Sequence, residues 1–179
     1  WLDAWDRAAL EAVVAAEPLS IPRAIIFESP GNMVGIALLM AAVLPLAMRA
    51  GRPVIVSNML LGYAMGAAAF WVGWGLWSRE RPDLVLDGVA APGLHSFPSG
   101  HMVHVTLLYG YLAYLWCRAS RSPLERILAV LLCAAWITLV ALSRLVLGTH
   151  WPSDVIAGTL LGLLVAASLA VAHRQAERS

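Results

Sequence analysis

Apolar and polar positions fall along this chain in long blocks rather than in short periods. Apolar runs cover about 31–48, 54–77, 102–116, 127–147 and 153–172. A membrane span needs roughly 20 mostly apolar residues, so the pattern predicts five spanning helices in an all-α polytopic bundle. Short polar turns at 49–53, 118–126 and 148–152 separate the runs, and a longer polar loop fills 78–100. Pro45 sits inside the first run, where a kink is expected. Gly62 and Gly66 have the spacing that lets membrane helices approach closely.

The first 17 residues are too polar to span. Leu2, Trp5, Ala9, Ala12, Val13 and Ala16 share one helical face, with Asp3, Asp6, Arg7 and Glu11 largely on the other. That pattern predicts an amphipathic helix in the membrane interface, with Trp1 and Trp5 at headgroup depth. Pro18, Pro22 and Pro30 make 18–30 read as a connector. The expected layout is one membrane domain over 1–179: interfacial helix and connector in 1–30, core in 31–172, polar tail with a solvated His173 in 173–179. The chain starts at Trp1 rather than Met, so a natural chain that begins earlier is expected, and a span ahead of Trp1 stays open.

Composition agrees with the pattern. The chain is 60% hydrophobic and 13% charged, with mean hydropathy +0.75, where a soluble domain carries about 25% charge. A net charge of +1 makes no case for nucleic acid. All 12 basic residues are Arg. Arg49, Arg52, Arg118, Arg121, Arg126, Arg174 and Arg178 fall on one side of a five-span layout, and nearly all the acids on the other. Positive charge marks the cytoplasmic side, so the acidic face, with the loop 78–100, is expected to point away from the cytoplasm. For a bacterial inner membrane that is the periplasmic side. Cys117 and Cys133 lie in apolar runs and read as small core residues rather than a disulfide.

Three stretches converge on that outer face. One is Arg79-Glu80-Arg81-Pro82, one is Pro98-Ser99-Gly100-His101, and one is Ser143-Arg144 with His150 and Asp154. Ionisable groups at a membrane are costly and read as functional. Taken singly, each has a plain reading: a snorkelling Arg, a capped helix with an interfacial His, a helical His/Asp pair. Together they suit phosphoryl transfer. Arg81 and Arg144 supply guanidinium forks, and Ser99, Gly100 and His101 supply amides at a helix start, both of which favour phosphate oxygens. A neutral imidazole serves as nucleophile when a partner fixes its tautomer, and His150 and Asp154, four apart, share a helical face. A second His, His101, can protonate the leaving oxygen. His104 reads as a packing residue one turn deeper, and His95 as a loop residue.

These motifs resemble the type 2 phosphatidic acid phosphatase (PAP2) superfamily. Pro98 to His101 matches its second motif, and Ser143-Arg144, His150 and Asp154, with Gly148-Thr149 and Trp151-Pro152 around them, match its third. The first motif departs: Arg81-Pro82 are present, but Trp74 stands where the family has Lys. The resemblance implies that His150 forms a phosphohistidine, Asp154 orients it, His101 is the general acid, and Arg81, Arg144, Ser99 and Gly100 hold phosphate, with Arg79 as a partial substitute for the Lys. It implies a lipid phosphate or diphosphate as substrate, membrane lipids as surroundings, and no metal or other cofactor. A phosphotransferase using the same histidine and a non-catalytic lipid-phosphate binder are the alternatives.

Overall fold

The computed structural model describes residues 2–85 and 95–178. The expected placements of Trp1 and of the loop acid Asp87 lie outside them. The helices are α1 (Asp3–Ala16), α2 (Ile21–Glu28), α3 (Met33–Arg49), α4 (Pro53–Trp77), α5 (Gly100–Ala119), α6 (Pro123–Val146) and α7 (Pro152–Ala176), with a short 3₁₀ turn at Ser29–Gly31. α4, α6 and α7 each begin on a proline, whose fixed φ and missing N–H suit the first helical position. Asn32 caps α3 by accepting from the Gly35 amide at 2.9 Å, and Ser99 caps α5 by accepting from Met102.

α4, α6 and α7 are long and apolar enough to cross a membrane, and the pair Ile21–Gly31 and Met33–Arg49, bent by 45°, would make a fourth span. Their outward residues are large and apolar: Leu132 is 67% exposed, Leu164 66% and Leu38 66%. That is the pattern of a surface solvated by lipid, and the chain is an integral membrane protein. α5, the third span expected from sequence, is long enough at 20 residues but lacks the required apolarity. The reason is its position. It packs against α4, α6 and α7, and everything from Met102 to Leu108 is buried. A helix wrapped in protein need not be apolar all round, so α5 tolerates His101, His104, Thr106 and Tyr111.

α5 feeds both halves of the core. Val103, Leu107, Leu108 and Tyr111 pack with Met59 and Leu169, while Met102 and Val105 pack with Leu10, Val140 and Val155. Glycines set the spacing. A Cβ on Gly158 would stand 2.6 Å from the Ser99 carbonyl oxygen, and one on Gly162 would stand 2.7 Å from that of Val103. On α4, Gly62 and Gly66 do what their spacing suggests, since a Cβ on either would come within 2.7 Å of Leu169 or Leu107.

Four expectations change. The connector 18–30 contains a helix, α2, because Pro22 falls in its first turn, where proline is tolerated. The marked bend lies near Asn32, and α3 continues through Pro45. The inward stripe of α1 includes Asp6 and Leu10, both fully buried, while Trp5 is 49% exposed. α1 packs on α6 and α7, and a buried polar partner rather than lipid decides which face turns in. His173 is no tail residue. α7 runs past it, and its Nδ1 lies 2.9 Å from the Tyr111 hydroxyl, which also accepts from Asn58 at 2.8 Å. Both cysteines are free and half-buried.

Gly158→Ala tests the helix spacing. Its Cβ meets backbone that cannot rotate away, so the variant is expected to lose about 1–3 kcal/mol and unfold at lower temperature in detergent. Gly75→Ala is the control, since a Cβ there meets nothing within 4 Å. An equal response from both would mean that the approach of α5 to α7 is not tight.

Candidate active site

The turn between α6 and α7 carries His150. Gly148 takes a left-handed φ of 66°, a conformation open to glycine at little cost. Thr149 then closes the end of α6 by donating through its amide (3.2 Å) and its hydroxyl (3.0 Å) to the Arg144 carbonyl. His150 follows, buried, just ahead of the proline that starts α7. Its Nδ1 faces Asp154 Oδ2 at 3.6 Å, which leaves Nε2 as the nitrogen turned away from the acid. Asp154 is fully buried. Its Oδ2 accepts from the Trp151 amide at 2.8 Å and its Oδ1 from Arg79 at 2.8 Å.

The carbonyl of Asp154 joins this turn to the start of α5, by accepting from the Ser99 amide at 3.1 Å. His101 follows two residues later, with Nε2 3.6 Å from Glu28 Oε2. Arg144, in the last turn of α6, is almost wholly buried and ion-paired with the same carboxylate. Arg81 reaches over from the end of α4 and donates to the Thr149 carbonyl at 2.5 Å. Its guanidinium lies 5.9 Å from the Trp74 ring centroid.

These groups surround a cavity of about 270 Å³. Arg81, Gly100, His101, Arg144 and His150 line it together with the apolar Met33, Phe70, Trp71 and Trp74. Two residues expected at the phosphate are not in this lining. Ser99 is buried, its amide donating to the Asp154 carbonyl and its hydroxyl accepting from the Met102 amide. Arg79 lies behind Asp154, held there by Asp6 at 2.6 Å, and is not part of the cavity lining. Two buried carboxylates, Asp6 and Asp154, hold it there. His104 lines the cavity one turn down, its Nδ1 2.9 Å from the Gly100 carbonyl. His95 is not in the lining. A larger groove of about 900 Å³ against α5 and α6, walled by Leu112, Trp116, Leu132 and Trp136, has no His or Arg.

Sequence reasoning missed Glu28, Asp6 and Ser153. Asp6 was read onto the polar face of its helix, although it stands four residues from both Leu2 and Leu10. Glu28 left no trace, since it sits in a stretch read as connector.

Burial pushes the His150 imidazole down to about 4, with Arg144 and Arg81 pushing the same way and Asp154 opposing. Burial also lowers the Arg81 guanidinium against the pull of Asp154. For Arg79, burial is outweighed by Asp6 and Asp154, and its affinity for the proton rises. At neutral pH the site therefore presents a neutral imidazole between charged guanidiniums, an arrangement able to attack a phosphorus and neutralise its oxygens. Among the described residues no three His, Cys, Asp or Glu side chains form a metal-binding group.

The model of the PAP2 superfamily matches residues 53–178, a stretch that holds Arg81, His101, Arg144, His150 and Asp154 but neither Asp6 nor Glu28. Decaprenylphosphoryl-5-phosphoribose phosphatase of Mycobacterium tuberculosis is 38% identical over 91 residues, covering 50% of this chain and 45% of that protein. Lipid A 1-phosphatase of Rhizobium etli is 39% identical over 94 residues, covering 47% and 35%. The chain thus aligns with less than half the length of these two curated relatives. The crystal structure of a transmembrane PAP2-type phosphatidylglycerolphosphate phosphatase from Bacillus subtilis superimposes with a TM-score of 0.84 at 22% identity, over 97% of this chain and 87% of that one. That likeness concerns the fold.

The electrostatics can be read directly by NMR of histidine-labelled protein in detergent. His150 is expected to titrate near 4 rather than at the usual value of about 6.5. Asp154→Asn removes the charge that favours imidazolium, so it should lower the midpoint further. A midpoint near the ordinary value would mean that the ring is solvated.

Proposed function

The chain belongs to the PAP2 superfamily, and from that premise we propose that it is a membrane phosphatase hydrolysing a lipid phosphate or diphosphate through a phosphohistidine on His150. The observation that carries this reading is the composition of the cavity. It brings His101, His150, Arg81 and Arg144 together with the apolar walls of Met33, Phe70 and Trp71. Met33 is 82% exposed and Trp71 62%, both on the lipid-facing surface. A substrate with its phosphate among the arginines and its tail in the bilayer suits that shape. Relatives named for decaprenylphosphoryl-5-phosphoribose and for lipid A support a lipid-borne phosphate as the class.

In this mechanism Asp154 holds the proton on His150 Nδ1, and Nε2 attacks phosphorus. The P–N bond forms as the P–O bond to the lipid breaks. Arg81, Arg144 and the Gly100 amide stabilise the three outer oxygens. His101, which takes up a proton as the anionic phosphate enters, gives it to the departing oxygen and is left neutral. Water then attacks the phosphohistidine, His101 takes the proton of that water, and inorganic phosphate leaves with His150 restored. Trp74 stacks against Arg81 in place of a cation, so the phosphate is held by fewer charges than the family pattern supplies.

We place the site on the periplasmic face of a bacterial inner membrane. Arg49, Arg52, Arg118, Arg121, Arg126, Arg174 and Arg178 are all exposed at the other end of the bundle.

The test is phosphate release by purified protein from polyprenyl diphosphate, phosphatidic acid and phosphatidylglycerol phosphate. Release from at least one lipid is expected, abolished by His150→Ala and reduced about 10²–10⁴-fold by His101→Ala. Orthovanadate should inhibit as a mimic of the pentacoordinate state. Release that persists in His150→Ala would overturn the phosphohistidine.

A further inference from the structure

Asp6 is a charged side chain with no solvent exposure, and the phosphate-transfer steps make no use of it. It lies on α1, outside the stretch shared with the family. A buried carboxylate is tolerated only when fully partnered, so its contacts say what it is for. Its Oδ1 accepts from the Ser153 amide at 2.8 Å. Its Oδ2 accepts from the Ser153 hydroxyl at 2.6 Å and from Arg79 Nη2 at 2.6 Å. Arg79 Nη1 donates in turn to the Ser153 hydroxyl at 2.7 Å and to Asp154 Oδ1 at 2.8 Å. The Trp151 ring lies across the guanidinium, 5.4 Å from it. Asp6, Arg79, Asp154 and His150 thus form a chain of alternating charge that ends on an imidazole.

We propose that Asp6 and Arg79 are positioning residues for His150, acting through Asp154. The inference rests on the reading of His150 as nucleophile. The planar guanidinium of Arg79 bridges the two carboxylates, Nη2 on Asp6 and Nη1 on the outer oxygen of Asp154, which keeps the inner oxygen turned to His150 Nδ1. Unopposed, the same guanidinium would weaken the attraction between Asp154 and the imidazole. Asp6 supplies the opposing charge, so Asp154 remains an effective anion toward the ring. A half-exposed ion pair would contribute little. Here Asp6 and Asp154 are both fully buried, where charge is poorly screened and an unbalanced charge is felt by its neighbour.

Other charged groups surround the pair. Asp3 lies 3.4 Å from Arg79 but is 85% exposed, so it screens weakly. Arg81 and Arg144 face His150 across the cavity, with His101 beside them, and Glu28 pairs with Arg144. None of these touches the Asp154 Oδ1 that Arg79 holds among the hydrogen bonds described.

The experiment is a double-mutant cycle read through kcat, KM and pH dependence on a lipid that the wild-type protein hydrolyses. Asp6→Asn keeps shape and removes the opposing charge. It is expected to lower kcat by up to about 10²-fold, the cost of misplacing a reacting group by about 1 Å, with KM changed less than about two-fold. Arg79→Gln removes the cation beside Asp154, so the acid limb of kcat/KM should move to higher pH. Asp6→Asn should not move that limb upward. Because Asp6 acts through Arg79, the double variant should be no slower than the slower single variant. Additive losses, an unmoved limb in Arg79→Gln, or a change confined to KM would overturn the proposal. Should Asp6→Asn fail to fold, the limb of Arg79→Gln decides alone. Failure of the underlying reading looks different, since turnover would then survive in His150→Ala.

Discussion

The close contact between α5 and α7 is the constraint on which the rest depends. The Ser99 amide reaches the Asp154 carbonyl only because Gly158 and Gly162 present no Cβ to the facing backbone. Once the two helix starts are side by side, His101 and His150 are brought to one cavity, although 49 positions separate them in the chain. The remaining elements close around this pair. α6 delivers Arg144 from its last turn, α4 brings Arg81 from beyond its end, and the aromatic side chains of α4 form a wall. A small displacement of α7 against α5 would separate the two histidines, so the stability of the fold and the geometry of the site rest on the same glycines.

A second constraint is dielectric. Charges at the margin of a bilayer are held in place by other charges or not at all. Arg144 is matched by Glu28, and Arg79 by Asp6 and Asp154. His150 is the exception, buried with two arginines across the cavity and one acid behind it, and the environment settles it as neutral. A neutral ring keeps the lone pair that a nucleophile needs. The same burial that makes cations expensive therefore prepares the imidazole, and no separate base is required to do so.

The sequence made the cavity readable where chemistry and local structure coincide. Ser99, His101, His150 and Asp154 all sit at or next to helix starts, where capping residues, proline and glycine leave a strong local signal. Helix positions were readable for a similar reason, since α4, α6 and α7 open on prolines that end one polar turn and begin an apolar run. What stayed hidden was long-range. Spacing placed Arg79 and Arg81 at the same end of the bundle, but two residues along an irregular loop suffice to send one to the cavity and the other behind Asp154. His173 looked like part of a polar tail because its partner, Tyr111, is 62 residues away. That α5 is wrapped in protein rather than lipid was not readable, because a hydropathy run cannot tell one surrounding medium from the other.

The two acids that sequence reasoning missed share an origin. Glu28 and Asp6 both come from the segment ahead of α3, and both lie outside the stretch that matches the family. The matched stretch supplies the two cavity histidines His101 and His150, the arginines Arg81 and Arg144, and Asp154. The N-terminal helices supply opposing anions, one beside His101 and Arg144 and one behind Asp154. In a low-dielectric site the net charge sets how strongly an anion is held, and each acid offsets one guanidinium. Trp74 adds to the effect by stacking on Arg81 where a further cation would otherwise stand. The reactive groups and the strength of the field around them thus reside in different parts of the chain. The charge of the site can be retuned from α1 and α2 without altering a residue that lines the cavity.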